Sequence, residues 1–134
     1  MIFGVGADIV EVRRMERILA RYGERFARRI LTDREFREFA RNTRPAHFLA
    51  KRFAAKEAAA KAFGTGFRNG LTLRHIGVTH DDLGRPMLEY SGTAEAYRRR
   101  CGVRESHLSL SDERRYALAF VTLVGAPGAA SRQP

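Results

Sequence analysis

Apolar positions set the outline of the chain. Residues 2–10 are short and apolar, with Gly4 and Gly6 in alternation, which predicts a strand that bulges or meets a neighbouring backbone closely. Val12, Met15, Leu19, Tyr22 and Phe26 recur at steps of three and four, so residues 12–30 predict one amphipathic helix. Thr32 and Glu35 form a capping box ahead of Phe36 and Phe39, opening a second, short helix. Pro45 suits the first turn of a third helix that runs to Phe63 and stops at Gly64. On it Leu49, Phe53, Lys56, Ala60 and Phe63 share one face, and Ala50, Ala54, Glu57 and Lys61 another. Residues 71–80 and 85–90 predict a hairpin around Asp81–Gly84. Residues 93–101 predict a helix closed by Gly102, and residues 106–111 and 116–124 a last hairpin.

The expected order is β-ααα-ββ-α-ββ, a single α+β domain over residues 1–124 with a largely antiparallel sheet packed on the long helix. Tyr22, Phe26, Phe36, Phe39, Phe53 and Phe63 are the expected aromatic core. Residues 125–134, GAPGAASRQP in their last ten, lack periodicity and are expected to form a disordered tail. At 134 residues one domain is the natural size. No apolar run approaches the ~18 residues of a membrane span. The first residues carry no basic leader and place Asp8 where a signal peptide needs its apolar stretch, so a cytoplasmic protein is expected.

Charge narrows the partners. The formal net charge is +10, and residues 13–52 hold thirteen Arg or Lys against five Asp or Glu. Such a chain attracts polyanions. Arg14, Arg17, Arg21, Arg25 and Arg28 form a stripe on the predicted first helix, apart from its apolar line. Only three of the 25 basic residues are lysines, and Lys51, Lys56 and Lys61 fall within eleven positions. In so Arg-rich a chain a retained Lys points to a need for a compact ammonium. One cysteine, Cys101, excludes an internal disulfide and a Cys-rich zinc site, and the four histidines lack metal-ligand spacing.

Two places carry candidate chemistry. Asp8 interrupts an apolar strand, where a carboxylate is costly unless paired, hydrogen-bonded or bound to a metal; otherwise it points to solvent or caps a neighbour. Glu57 and Lys61 stand four apart on the long helix, either as a surface ion pair or as part of a site. Alanines at 50, 54 and 58 leave that face open, and Gly64-Thr65-Gly66 follows with backbone N–H groups suited to phosphate. A carboxylate, an ammonium and a glycine loop within ten residues are the parts of a magnesium–phosphate site. Lys56, Gly64, Thr65, Gly66 and His107 are the expected nucleotide contacts.

GVGADIVEV at 4–12, FARRILTDREF at 26–36, FLAKRFAAKEAAAKAFGTG at 48–66 and HLSLSDE at 107–113 resemble the holo-[acyl-carrier-protein] synthase family of small bacterial phosphopantetheinyl transferases. The resemblance reaches to about Val124. It implies transfer of 4'-phosphopantetheine from coenzyme A to a serine of apo acyl carrier protein, with release of adenosine 3',5'-bisphosphate, in support of fatty acid biosynthesis. It implies Asp8 and Glu57 as Mg²⁺ ligands, Lys61 as a catalytic phosphate contact beside Glu57, and Arg14 on a helix that docks the carrier protein. It further implies a homotrimer with sites between subunits. Asp112 departs from the family's usual His or Thr and, starting a turn, is assigned no catalytic role.

Other features have plainer readings. His107, Ser109 and Ser111 share a strand face that either lines the nucleotide pocket or is wet surface. His47, His75 and His80 are expected at the surface. Cys101 is expected to pack rather than react. Arg98-Arg99-Arg100 is either a solvated helix face or a phosphate contact. A basic nucleic-acid-binding domain would share the charge, but interleaved aromatics, a recognition helix and a zinc module are all missing, and it gives Asp8 and Glu57 no purpose. Neither nucleic acid nor a membrane is expected as a partner.

Overall fold

The computed structural model describes residues 1–126. Within it strand β1 (Ile2–Glu11) leads into helices α1 (Val12–Tyr22), α2 (Glu24–Ile30), α3 (Asp33–Arg41) and α4 (Pro45–Phe63). A 3₁₀ turn (Leu73–His75), strands β2 (Ile76–His80) and β3 (Pro86–Tyr90), helix α5 (Gly92–Cys101) and strands β4 (Val103–Asp112) and β5 (Tyr116–Gly125) complete it. The α+β class stands, with two corrections to the order. The predicted helix over 12–30 is two helices, broken at Gly23, whose φ of 62° and ψ of −148° end one and start the next. The apolar period runs on across the break because α2 also turns Ala27 and Ile30 inward. Tyr22, at the break, is 48 % exposed and leaves the expected core. The strands form two separate antiparallel sheets, β1-β5-β4 and β2-β3.

Residues 71–75, predicted as strand, turn instead: Leu71 N–H donates to Arg68 O and His75 N–H to Thr72 O. The last strand reaches Gly125, which exchanges backbone hydrogen bonds with Met1, so the domain runs one residue past the expected boundary. The remaining tail expectation, over 127–134, lies outside the described residues. Among the described residues no helix is long and apolar enough to cross a membrane.

Helix α4 is the axis of the domain and packs chiefly on β1 and β5. Its inward side is almost all alanine: Ala54, Ala55, Ala58, Ala59 and Ala62 are fully buried. The buried face of β5 is small at one end, with Ala117 and Ala119, and larger at the other, with Val121 and Leu123. Small against small lets the backbones approach. Gly6 on β1 marks the closest point: a Cβ there would lie 2.1 Å from Ala58 O and 2.7 Å from Ala62 N. The close backbone approach read from the strand glycines is therefore real at Gly6. Larger side chains bracket this seam, with Leu49 and Phe63 buried at the two ends of α4 and Phe63 edge-on to Phe3 and Tyr90. Phe39 and Phe48 pack together, and Phe26, Phe36 and Phe53 are partly buried around them.

Helix α3 opens on the capping box anticipated at Thr32 and Glu35; Glu35 N–H donates to Thr32 Oγ1 and Thr32 N–H to Glu35 Oε1. Glu35 does more than cap. It is fully buried, and its other oxygen accepts from Val78 N–H at 2.8 Å, tying α3 to β2.

Gly6→Ala forces a methyl into the α4 backbone, which cannot give way without parting helix from sheet. A loss of at least ~1–3 kcal/mol is expected, read as a lower denaturant midpoint; an unchanged midpoint would show that the seam has slack.

Candidate functional site

The seam between β1 and α4 is also where the polar residues meet. On β1 the side chains alternate, so Gly4, Gly6, Asp8 and Val10 point toward α4 while Val5, Ala7 and Ile9 point away. Gly6 brings the strand against the helix next to Lys61, and Asp8, two residues on, lies beside the same turn. Lys61 Nζ donates to Asp8 Oδ1 at 3.0 Å and to Ala7 O at 3.1 Å. Glu57, one turn before Lys61, completes the group. Asp8 is neither solvated nor a cap: it is paired, across 53 residues of sequence.

Glu57 is half-buried beside a second carboxylate. Burial, then the charge of Asp8, push its pKa above the ordinary glutamate value, while Lys61 and Arg14 pull the other way. Arg14 reaches this area from α1 with its guanidinium 5.5 Å from the centre of the Phe53 ring. A half-buried carboxylate whose ionisation a second carboxylate opposes forms, with it, a hard-oxygen donor pair of the kind that a divalent cation takes. Among the described residues no three His, Cys, Asp or Glu side chains converge. Protein ligands would therefore number two, leaving other positions for water and phosphate oxygens, a pattern that Mg²⁺ accepts. The residues present fit such an ion.

The other expected site residues divide. Gly64 caps α4 in the left-handed conformation, and its N–H is already donated to Ala60 O and Lys61 O, so it is not free for phosphate. Thr65 and Gly66 follow in the same bend, with Gly66 at φ 63° and open space where a side chain would stand. Lys56 does not join Asp8 and Glu57. It is fully buried, and its ammonium donates to Glu35 Oε1 at 2.6 Å, Ile76 O at 2.6 Å and Leu73 O at 2.9 Å. Burial pushes its pKa down, and the Glu35 carboxylate opposes that. The nucleotide role expected of Lys56 is corrected: a neighbour of Glu57 in sequence is ~100° away around the helix.

His107 is exposed on the outer sheet face, level with Ser109 and Ser111, and its Nε2 lies 3.0 Å from Glu105 Oε1. The arginine stripe is exposed throughout but broken at Gly23: Arg14, Arg17 and Arg21 belong to α1, and Arg25 and Arg28 to α2. Arg28 stacks 4.1 Å over Phe36, and Arg17 lies 3.6 Å from Glu11. Arg98 and Arg99 are spent on Glu95. His47, expected at the surface, is buried. Its Nε2 lies 2.8 Å from Asp112 Oδ2 and its Nδ1 2.8 Å from an Arg44 nitrogen, joining the start of α4 to the β4–β5 turn. Glu35 and this pair escaped sequence reading. The capping-box pattern was visible, but nothing local shows that its glutamate is buried.

Among the described residues, the best-formed clefts are not lined by Asp8, Glu57 or Lys61. The acid–lysine group instead stands at an open surface, and the apolar residues nearby are exposed too. Val5, Ile9, Leu118 and Phe120 are exposed on the outer face of the β1-β5-β4 sheet, with Ile9 opposite Leu118 and Phe120 opposite Ala7.

A carboxylate pair, an ammonium and a glycine bend beside a basic helix define a class of enzyme that handles phosphate esters, and the chain belongs to the 4'-phosphopantetheinyl transferase superfamily, whose family model matches residues 4–121. Its relatives are the holo-[acyl-carrier-protein] synthases, and like them it is a transferase. The chain is 60 % identical to the holo-[acyl-carrier-protein] synthase of Nitrosococcus oceani, over 92 % of this chain and 80 % of that one. It is 55 % identical to that of Nitrosospira multiformis, over 92 % and 98 %. The fold matches the crystal structure of the Neisseria meningitidis synthase with a TM-score of 0.89 at 45 % identity, covering 92 % and 99 % of the two chains. It matches a Bacillus anthracis synthase solved in complex with CoA (3',5'-ADP) with a TM-score of 0.77 at 37 % identity, covering 94 % and 99 %.

Because the folded state raises the pKa of Glu57, it favours the protonated acid. Stability from this group is complete below the unfolded glutamate pKa and is lost as pH rises through the folded value. Glu57→Gln is therefore expected to melt above the parent at neutral pH in chelator and level with it in acid. Equal melting at both pH values would show that the raised pKa carries no cost.

Proposed function

We infer that this protein transfers the 4'-phosphopantetheine group of coenzyme A to a serine hydroxyl of an apo acyl carrier protein, releasing adenosine 3',5'-bisphosphate. The observation that supports it best is the Asp8–Lys61 pair set beside Glu57. This is a small hard-donor site with an ammonium, in a family whose members have been solved with coenzyme A.

Asp8 and Glu57 would hold Mg²⁺, which when bound supplies positive charge against the pyrophosphate of coenzyme A. Lys61 adds a second positive charge on the same side; its ammonium, shared between Asp8 and Ala7 O, is half-exposed and free to turn toward a phosphate oxygen. The serine oxygen bonds to the β-phosphorus, and the bond from that phosphorus to the bridging oxygen breaks. The bridging oxygen leaves with its electron pair on adenosine 3',5'-bisphosphate. The serine proton must go to a base in the same site. Gains of this kind come from position and charge rather than from new covalent chemistry, so three side chains suffice. Thr65 and Gly66, just past α4, would offer backbone donors to the same phosphates.

The carrier protein is the macromolecular partner in this reading. Arg14, Arg17, Arg21, Arg25 and Arg28 spread over two short helices that meet at Gly23, a convex basic surface ending at the active site through Arg14. An acidic carrier protein fits it by charge. The apolar sheet face of Val5, Ile9, Leu118 and Phe120 suits packing on further copies of this chain, and the reading takes the working unit as a homotrimer in the cytoplasm serving fatty acid biosynthesis. Placing the site at an open protomer surface is what a site completed by a neighbour requires. His107, on that same outer face, would then reach a neighbour's nucleotide.

Incubation with coenzyme A, Mg²⁺ and an apo carrier protein should add phosphopantetheine to the carrier, read by intact mass. Asp8→Ala should abolish the addition without changing far-UV circular dichroism, since Asp8 contributes an ion ligand rather than packing. Turnover at the parent rate in saturating Mg²⁺ would remove Asp8 from the site.

Arg14→Glu with Arg21→Glu should slow association with the carrier protein and flatten its salt dependence, with coenzyme A affinity nearly unchanged. An unaltered salt slope would move docking off α1.

A further inference from the structure

Within residues 54–62 of α4 every side chain is alanine except three: Lys56, Glu57 and Lys61. Glu57 is half-buried and Lys61 exposed, both at the site; Lys56 alone is long and fully buried. An alanine surface laid on Gly6, Ala117 and Ala119 sets how near the helix lies to the sheet. It offers few knobs to resist rotation about the helix axis. Leu49 and Phe63 lock the ends, fourteen residues apart. Between them the polar contacts come from Arg52, buried 3.7 Å from Glu35 and 3.8 Å from Glu38, and from Lys56, whose hydrogen bonds are the shorter and more directional. Its ammonium is held from three sides, by a carboxylate on α3, by Leu73 O in the 3₁₀ turn and by Ile76 O at the start of β2. The carboxylate is itself fixed by Thr32 N–H and Val78 N–H.

We propose that the buried Lys56–Glu35 pair is a positioning device that sets the rotation of α4 and so aims Glu57 at Asp8. This rests on the proposed role of those carboxylates as ion ligands. The magnitudes favour it. A side chain ~5–6 Å from the helix axis moves ~1 Å for a rotation of ~10°, and a working ligand site tolerates ~0.5 Å. A turn too small to unpack the alanines is thus enough to separate the two carboxylates. Lys56 touches neither substrate nor ion; its effect passes through the backbone of the next residue. Orienting partners of ligands typically change metal affinity or activity by ~10–100-fold when removed.

The test compares Glu35→Gln, Lys56→Met and Lys56→Met with Glu35→Gln on the intact protein. Val103→Ala, a buried change on β4, serves as a control for lost stability alone. The single Lys56→Met leaves the buried Glu35 carboxylate with only Arg52, 3.7 Å away, as a charged partner and is the variant most prone to unfold; the double variant removes both charges of the pair. Glu35→Gln keeps Lys56 on its two carbonyls and is the mildest. Mn²⁺ affinity in the presence of coenzyme A is read by electron paramagnetic resonance. The kcat and the KM for the carrier protein are read by mass, all at a temperature where each variant is folded by circular dichroism. The expected result is a ~10–100-fold loss in Mn²⁺ affinity and kcat in the double variant, a smaller loss in Glu35→Gln, an unchanged KM, and parent values in Val103→Ala. Parent-like Mn²⁺ affinity in folded Glu35→Gln and in the double variant overturns the proposal. So do losses that Val103→Ala shares. Should only Glu35→Gln fold, its own affinity decides. If the parent neither binds Mn²⁺ nor modifies the carrier, the functional reading fails first, and that result is separate from the variants.

Discussion

The approach of α4 to β1 at Gly6 is the constraint on which the rest depends. With a Cβ at that position blocked by Ala58 O and Ala62 N, only glycine lets the helix lie so low on the strand. Everything polar at the site follows from that depth. Asp8, two residues along the strand, comes within 3.0 Å of Lys61, and Glu57 one turn earlier enters the field of Asp8. A wider gap would return each of these groups to water. Burial and the charge of Asp8 both oppose ionisation of Glu57, so the same contact that builds the core also sets the electrostatics of the site.

Two lysines five residues apart on α4 show how position decides chemistry. Lys61, near the C-terminal end and half-exposed, has its ammonium shared between a carboxylate and a carbonyl. Lys56 is sealed from water with three short hydrogen bonds. The compact ammonium that so Arg-rich a chain retains at these places serves both uses: three acceptors converge on one point at Lys56, and a single charge can swing at Lys61. A planar guanidinium suits neither.

The basic excess is likewise sorted by the fold. Part of it is internal or locally spent: Arg52 is buried over Phe48, and Arg98 and Arg99 close on Glu95. What remains outward on α1 and α2 is a curved surface, because Gly23 bends the chain between them. The apolar outer face of the three-stranded sheet lies apart from it. The domain therefore carries a basic surface on α1 and α2 and an apolar one on the outer sheet face, with Asp8 on β1 and Glu57 on α4.

Periodicity, caps and breakers are local properties, and most of them were legible, with the Gly23 break and the turn over residues 71–75 as the exceptions. The strand with its glycines, the Thr32–Glu35 box, the Pro45 start and Gly64 stop of α4, and both hairpins are written in adjacent residues, as are the Asp8, Glu57 and Lys61 blocks that carry the family resemblance. Gly23 was readable in principle, but the apolar step from Leu19 to Phe26 passes over it, since the chain turns and still offers Ala27 and Ile30 to the same core. What the sequence could not state is which charged residues meet. Lys56 and Lys61 look alike in the chain; one ends in the core because α3, the 3₁₀ turn and β2 close over it, and the other at the surface because β1 ends its cover at Ala7 and Asp8. His47 finds Asp112 across the domain for the same reason. Local pattern selects the elements through short-range sterics and hydrogen bonds, while the pairing of charges depends on distances that exist only once the elements have packed.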